Sequence, residues 1–289
     1  MRIGFNEAND RFCAGHTVMQ DLELCEKYGF DCIDIQSECL NRDLDNGVVT
    51  LEELGEWFAT HHLSMLSYNA LCFFNMKQTE EEKAAVMAEL DEIIRRCNIL
   101  GCKMIVVVPS QDMKERGLQP TRKEIREDAV AVLKEMVKKV EPYGIKLSLE
   151  FCGCPTMSIN RFEDAYAIVE EVNHPLVGVT LDQYHFHAMA SGWDALEKAD
   201  GRKIFIWHLN GMENMPCGAA YNTDEKRLWP GESGDCLDHK RYADTLKQIG
   251  FDGDVCTIEV FRPDYYKLSN EENIKRAAEV TRAHVEAYC

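Results

Sequence analysis

"LVGVTLDQYHFHAM", residues 176–189, changes character halfway along. Leu176 to Leu181 is apolar or β-branched apart from Gly178. Such a run reads as a strand buried on both faces, as in parallel sheets. It stops on a carboxylate, Asp182, and histidines follow at 185 and 187. An acid at the end of a core strand costs solvation, so something near it must compensate.

The same pattern recurs along the chain. Apolar or β-branched runs begin near Ile3, Ile33, Leu63, Met104, Ile145, Val177, Ile204 and Val255, giving eight candidate strands. Stripes with helical spacing lie between most of them. Val86, Leu90, Ile93, Ile94 and Cys97 form one; Ile125, Ala129, Val132, Leu133, Met136, Val137 and Val140 form another; Ala165, Ile168, Val169 and Val172 form a third. Strand and helix alternating eight times predict a (β/α)₈ TIM barrel. The alternative, a doubly wound open sheet, lacks a GxGxxG after its first strand. No linker or compositional break appears, so residues 1–289 are expected to form one domain. One connection is long. Residues 209–235 hold several glycines and prolines, and a loop of that length in a barrel is usually functional.

Composition narrows the function. Acids outnumber bases 50 to 32, a net charge of −18, and that field repels polyanions. No nucleic-acid partner is expected. No apolar run nears the roughly 18 residues of a membrane span, and the N-terminus lacks a signal-peptide pattern. The 13 cysteines form no CxxC pair and read as reduced thiols of a cytoplasmic protein. Cys152 and Cys154 could bind a metal but read better as small fillers beside a strand end.

In a barrel of this class the chemistry sits at the carboxyl ends of the strands. "IKLSLE" ends at Glu150, "VGVTLD" at Asp182, "IFIWH" at His208 and "VCTIE" at Glu259. Neighbouring strands lie about 4.8 Å apart, so these side chains converge. Three carboxylates in a low-dielectric mouth repel one another and call for a cation. Arg227 and Arg262 are the obvious counter-charges, too few for three acids. One divalent metal ion is the compact answer. Three oxygens and one nitrogen suit Mn²⁺ best, with Mg²⁺, Co²⁺ and Zn²⁺ admissible. His185, three residues after Asp182, can point back over the site, whereas His187 reads as packing. Trp207 and Trp229 are candidates for an apolar wall, and the loop 209–235 for a cover that excludes water.

With those residues in hand, the chain resembles the xylose isomerase-like barrel superfamily, and within it the keto-inositol (inosose) isomerases. "FNEA" at 5–8, "DLELCEKYGFD" at 21–31, "NALCFFN" at 69–75, "EPYGIKLSLEF" at 141–151 and "FHAM" at 186–189 carry the likeness. "KADGRKIFIWHLN", "TDEKRLWPGE", "LKQIGF" and "EVFRPDYYKL" extend it through the later half. The resemblance implies Glu150, Asp182, His208 and Glu259 as metal ligands, with Glu150 and Glu259 also moving protons. It implies His185 and Arg227 as substrate contacts, and Asn6 and Asn69 in the matched stretches join them. The chain departs from its relatives at Asn210-Gly211, where an Asp-Asp pair is expected, and at Cys154, where a histidine is expected.

The implied reaction moves the carbonyl of a keto-inositol (2-keto-myo-inositol to 1-keto-chiro-inositol) or a related ketose through an enediolate. The partner is then a small keto-polyol or ketose, and a homo-oligomer is left open. A keto-inositol dehydratase or a ketose 3-epimerase could use the same scaffold. An apurinic-site endonuclease is disfavoured by the net charge and the single strand-end histidine. A non-catalytic sugar-binding barrel has no need of two proton-transfer glutamates.

Overall fold

The computed structural model describes residues 1–219 and 224–289. Eight parallel strands close into a barrel: β1 Arg2–Asn6, β2 Cys32–Gln36, β3 Ser64–Cys72, β4 Met104–Val108, β5 Lys146–Glu150, β6 Val177–Asp182, β7 Ile204–Leu209 and β8 Val255–Ile258. They follow one another around the ring in chain order, and β8 pairs with β1 from Arg2↔Val255 to Phe5↔Ile258. Closure leaves the barrel no open edge. The open-sheet alternative is thereby excluded.

Local chemistry starts the helices where the apolar stripes begin. Thr79, Thr121 and Ser269 each accept from the backbone three residues on, and Glu82, Glu124 and Glu272 reach back to the cap. These reciprocal boxes satisfy amides that a helix start leaves orphaned. The expected stripes face inward: Val86, Leu90, Ile93, Ile94 and Cys97 are buried on helix Glu80–Leu100, and Ala129, Leu133, Met136, Val137 and Val140 on helix Arg122–Val140. No helix among the described residues is long and apolar enough to cross a membrane.

Alternation along each strand sorts its side chains between two faces. Leu147, Leu149, Val179, Leu181, Trp207 and Leu209 join the main apolar core between barrel and helices. Their neighbours fill the interior. Ser148 and Thr180 share a hydrogen bond of 2.6 Å there, and Ala70, Val106 and Ile206 pack together. Glu150, Asp182 and His208 continue that inner row to the mouth. Asp182 stands in register with His208. Glu259 follows β8, and its N–H donates to Leu209 O at 2.9 Å.

The long connection after β7 is tied down at its ends; residues 220–223 lie outside the described residues. Gly211–Met212 pairs antiparallel with Arg227–Leu228. Asp235 clamps the base, accepting from the amides of Met212 (3.0 Å), Gly231 (2.9 Å) and Leu237 (3.0 Å), with His239 Nε2 at 2.5 Å. Burial opposes the charge, but His239 and the amides of Leu237 and Gly231 hold the carboxyl below its usual range. Gly211 is where the chain departs from an expected acid, and the clamp explains it. A Cβ there would stand 2.6 Å from Asp235 Oδ2 and 2.9 Å from Trp229 O.

Gly211→Ala therefore forces the clamp apart. The expected loss is about 1–3 kcal/mol, the usual cost of overpacking, read as a lower urea midpoint with an unchanged slope. A variant as stable as the parent would show that Asp235 moves without cost.

Candidate metal centre and active site

The four strand-end residues meet. One ligand atom from each of Glu150, Asp182, His208 and Glu259 can be chosen so that all lie within 4.8 Å of one another, and all four residues are buried. Bonds of about 2.0–2.4 Å to one ion would span such a set. His208 Nδ1 lies 3.1 Å from Glu150 Oε1 and 3.3 Å from Glu259 Oε2. Burial alone would lower the His208 pKa, but the charges of Glu259 and Glu150 raise it well above the usual value. A positive charge is thus favoured where the acids meet, and a divalent ion supplies more of it than one proton. The donor set fits a divalent metal.

The two glutamates differ electrostatically. Burial and the charge of Glu259 push the Glu150 carboxyl up. Burial would do the same to Glu259, but His208 and then Arg227 outweigh it and hold that carboxyl at about 2.

Arg227 is closer to the acids than its place in a long loop suggested. It is fully buried, with Nη1 2.6 Å from Asp182 Oδ2, 3.1 Å from Glu259 O and 3.4 Å from Glu259 Oε2. Arg262 turns away to Glu213 at 2.8 Å. Asn6 is likewise fully buried, and its Nδ2 donates to Glu259 Oε1 at 3.0 Å. Its Oδ1 accepts from Gln36 Nε2 at 2.7 Å.

Above the cluster lies a cavity of about 440 Å³ lined by Glu150, Glu259, His185 and Asn69 among others. Two of the four expected substrate contacts, His185 and Asn69, thus face it; Arg227 and Asn6 do not line it. Asp182 sets His185 in place, because its Oδ1 caps helix Gln183–Ala188 by accepting from the His185 amide at 2.7 Å. His185 Nε2 lies 3.2 Å from Arg227 Nη2, which can only donate. The ring proton then sits on Nδ1, which has no partner. Gly153 allows this placement: a Cβ on it would stand 2.5 Å from His185 O.

The expected tryptophan wall is not there. Trp207 precedes His208 on β7 and so faces the opposite side, 1 % exposed against His284. Trp229 stacks on Tyr265, centroids 4.7 Å apart. Phe73, Tyr184 and Phe261 line the cavity instead. Cys152 and Cys154 also lie on its wall, and neither joins a metal-binding group among the described residues. His187 packs beside Cys236, as a packing role requires.

Sequence reasoning missed two supporting residues. Asp34 Oδ2 stands 3.5 Å from His208 Nε2, and its Oδ1 accepts from Ser67 Oγ at 2.5 Å. Its signal was an acid breaking the apolar run of β2. Asn210, marked in the sequence only as a departure from relatives, donates from Nδ2 to Asp182 Oδ2 at 2.9 Å, a supporting role that the departure alone did not suggest. Partners of this kind orient metal ligands, and their loss typically costs 10–100-fold in affinity. Asp34→Asn is accordingly expected to weaken divalent-ion binding by about 10–100-fold in calorimetric titration. Unchanged affinity would show that Asp34 does not orient His208.

Comparison with known proteins agrees with this architecture. A family model described as xylose isomerase-like TIM barrel matches residues 22–284. The inosose isomerase of Bacillus velezensis is 42% identical over 289 residues, covering 100% of this chain and 98% of the relative. That of Bacillus subtilis is 42% identical, covering 100% of this chain and 99% of the relative. A crystal structure of IolI protein with a bound zinc atom superposes with a TM-score of 0.93 at 41% identity, covering 100% and 99% of the two chains. Both the barrel and the end-to-end likeness lead to one assignment: the chain belongs to the xylose isomerase-like TIM barrel family.

Proposed function

We propose that this protein is a divalent-metal-dependent inosose isomerase that moves the carbonyl of a keto-inositol to the neighbouring carbon. The observation that carries the reading is the placement of Glu150 and Glu259. Both line the cavity and both belong to the four-residue cluster beneath it. The inosose isomerases matching the whole chain at about 40% identity support the substrate class.

The chemistry needs a proton removed from one carbon and returned at the next. One glutamate takes the α-proton and the other delivers a proton to the former carbonyl carbon, while the α-hydroxyl proton passes to the former carbonyl oxygen, so that the carbonyl reforms at the neighbouring carbon. A divalent ion held by Glu150, Asp182, His208 and Glu259 would polarise the α-hydroxyketone and stabilise negative charge developing on its oxygens. His185 offers its free Nδ1–H to a substrate hydroxyl, and Asn69, whose Nδ2 has no partner, offers another donor. Asn6 and Arg227 hold Glu259 and Asp182 in position from behind. We assign Mn²⁺ as the working ion on the three-oxygen, one-nitrogen donor set. The buried Cys13, Cys25, Cys32, Cys39, Cys97, Cys102 and Cys256 are free thiols, which supports a reducing, cytoplasmic location.

Glutamine keeps the size of glutamate and one carbonyl oxygen but cannot act as a base. Glu150→Gln and Glu259→Gln are each expected to lose about 10²-fold or more in kcat, the scale of general-base catalysis, while retaining part of the bound metal. Near-parental turnover by both variants would remove the proton-transfer role.

Incubating the metal-loaded enzyme with 2-keto-myo-inositol in D₂O is expected to yield the 1-keto isomer with solvent deuterium at the α-carbon. An unsaturated chromophore would indicate dehydration instead. Inversion at one carbon of a ketose, with no isomer formed from the keto-inositol, would indicate an epimerase. Chelation followed by dialysis is expected to abolish turnover, and Mn²⁺ to restore it.

A further inference from the structure

Among the described residues, the only arginine or lysine that lines the cavity is Arg11, in the turn after β1. Arg227, expected as a substrate contact, is spent on Asp182 and Glu259 and does not line it.

Two aromatic rings hold the Arg11 guanidinium. Its Cζ lies 4.5 Å from the ring centroid of Phe261 and 4.7 Å from that of Phe12. Such contacts fix a planar cation without using its N–H donors. Among the described residues only Nη1 meets an acceptor, Glu38 Oε1 at 2.5 Å, and Nε is buried without one. A guanidinium carries five N–H donors, so most of this one's capacity is unspent. Glu38 is the second residue of helix Ser37–Asp45, after β2, and it also lines the cavity.

Ring order sets where this pair stands. The four residues of the cluster come from β5 to β8, one half of the barrel. β1 and β2, which carry Arg11 and Glu38 on their following segments, lie across the ring from β5 and β6. The carbons that exchange protons must sit beside Glu150 and Glu259. In a six-membered keto-inositol ring with carbons 1 and 2 at the cluster, carbons 4 and 5 point away from it. Their neighbouring hydroxyls each offer a donor and an acceptor, and an arginine beside a carboxylate supplies the matching acceptor and donor with charge assistance.

We propose that Arg11 and Glu38 form the specificity-determining end of the cavity and bind the hydroxyls at carbons 4 and 5 of the keto-inositol, Arg11 donating and Glu38 accepting. This assignment rests on the keto-inositol reading of the site.

The test reads binding apart from turnover. Mn²⁺-loaded full-length protein is titrated calorimetrically with 2-keto-myo-inositol and with two analogues that carry hydrogen in place of the hydroxyl at carbon 4 or carbon 5. The wild type is expected to bind at least one analogue about 10-fold more weakly than the parent ketone, the scale of one lost hydrogen bond to a charged group. Arg11→Met is expected to bind the parent ketone about 10-fold more weakly than the wild type does, with unchanged metal content, and to bind that same analogue no worse than the parent. Removing both partners of one contact then costs no more than removing either. In turnover the variant is expected to raise KM by that factor and to change kcat less. Glu38→Ala, at an exposed position, gives the same comparison if Arg11→Met does not fold. A wild type that binds the ketone and both analogues equally overturns the proposal without any variant. Losses that add in Arg11→Met, the pattern of a merely structural ion pair, overturn it as well. The expected binding differences with no isomer formed would refute the reaction and leave the polyol subsite standing. Isomer formed with an unaltered KM in Arg11→Met would refute the subsite and leave the reaction standing, and a wild type that binds none of the three compounds overturns both.

Discussion

Three buried carboxylates around one imidazole set the terms for the rest of the barrel mouth. Glu150, Asp182 and Glu259 cannot share that volume unaided, because repulsion and lost hydration both work against their charged forms. Nearby groups are arranged against that cost. Arg227 comes in from a distant loop to reach Asp182, Asn210 donates to the same carboxylate, Asn6 holds Glu259, and Asp34 backs His208. A divalent ion held there would complete the neutralisation. The long connection after β7 is stapled by Asp235 at its base, and this fixes the strand that delivers Arg227.

The same residues divide between two depths. Glu150 and Glu259 line the cavity, whereas Asp182 is fully buried and spends one oxygen capping the helix that carries His185. Asp182 therefore couples the cluster to the substrate space: a shift in its position moves both a candidate ligand and a candidate substrate contact. A small displacement of this kind can cost about 10²-fold in rate. Gly153 has a matching part on the other side of His185, since only a residue without Cβ lets the turn after β5 approach so closely. The cysteines flanking it complete that wall, and Cys154 stands where relatives were expected to carry a histidine. Substrate choice can thus vary there without disturbing the acids below.

The eight strands, the helical stripes and the four strand-end residues were legible in the chain because each depends on local order. Burial on both faces writes a strand as a continuous apolar run, a helix writes its inner face at a period of 3.6, and β-strand alternation puts every second residue on one face. Each strand starts within a residue of its expected position. Asp182 could be read as a candidate ligand from its place at the end of such a run. Alternation also contained the correction for Trp207, which adjoins His208 and must therefore face away from it.

Contacts between distant segments were not legible. That Arg227 is buried against Asp182, that Asn6 supports Glu259 across 253 positions of sequence, and that His16 turns its basic nitrogen to Arg42 all depend on how loops pack. The sequence by itself determined the barrel, its direction and which side chains would converge at its mouth, because period and strand order are local properties. Only the tertiary structure decided which of those side chains face the cavity and which hold the others from behind. That division depends on the paths of irregular loops, whose hydrogen-bond partners lie far away in sequence and leave no periodic trace.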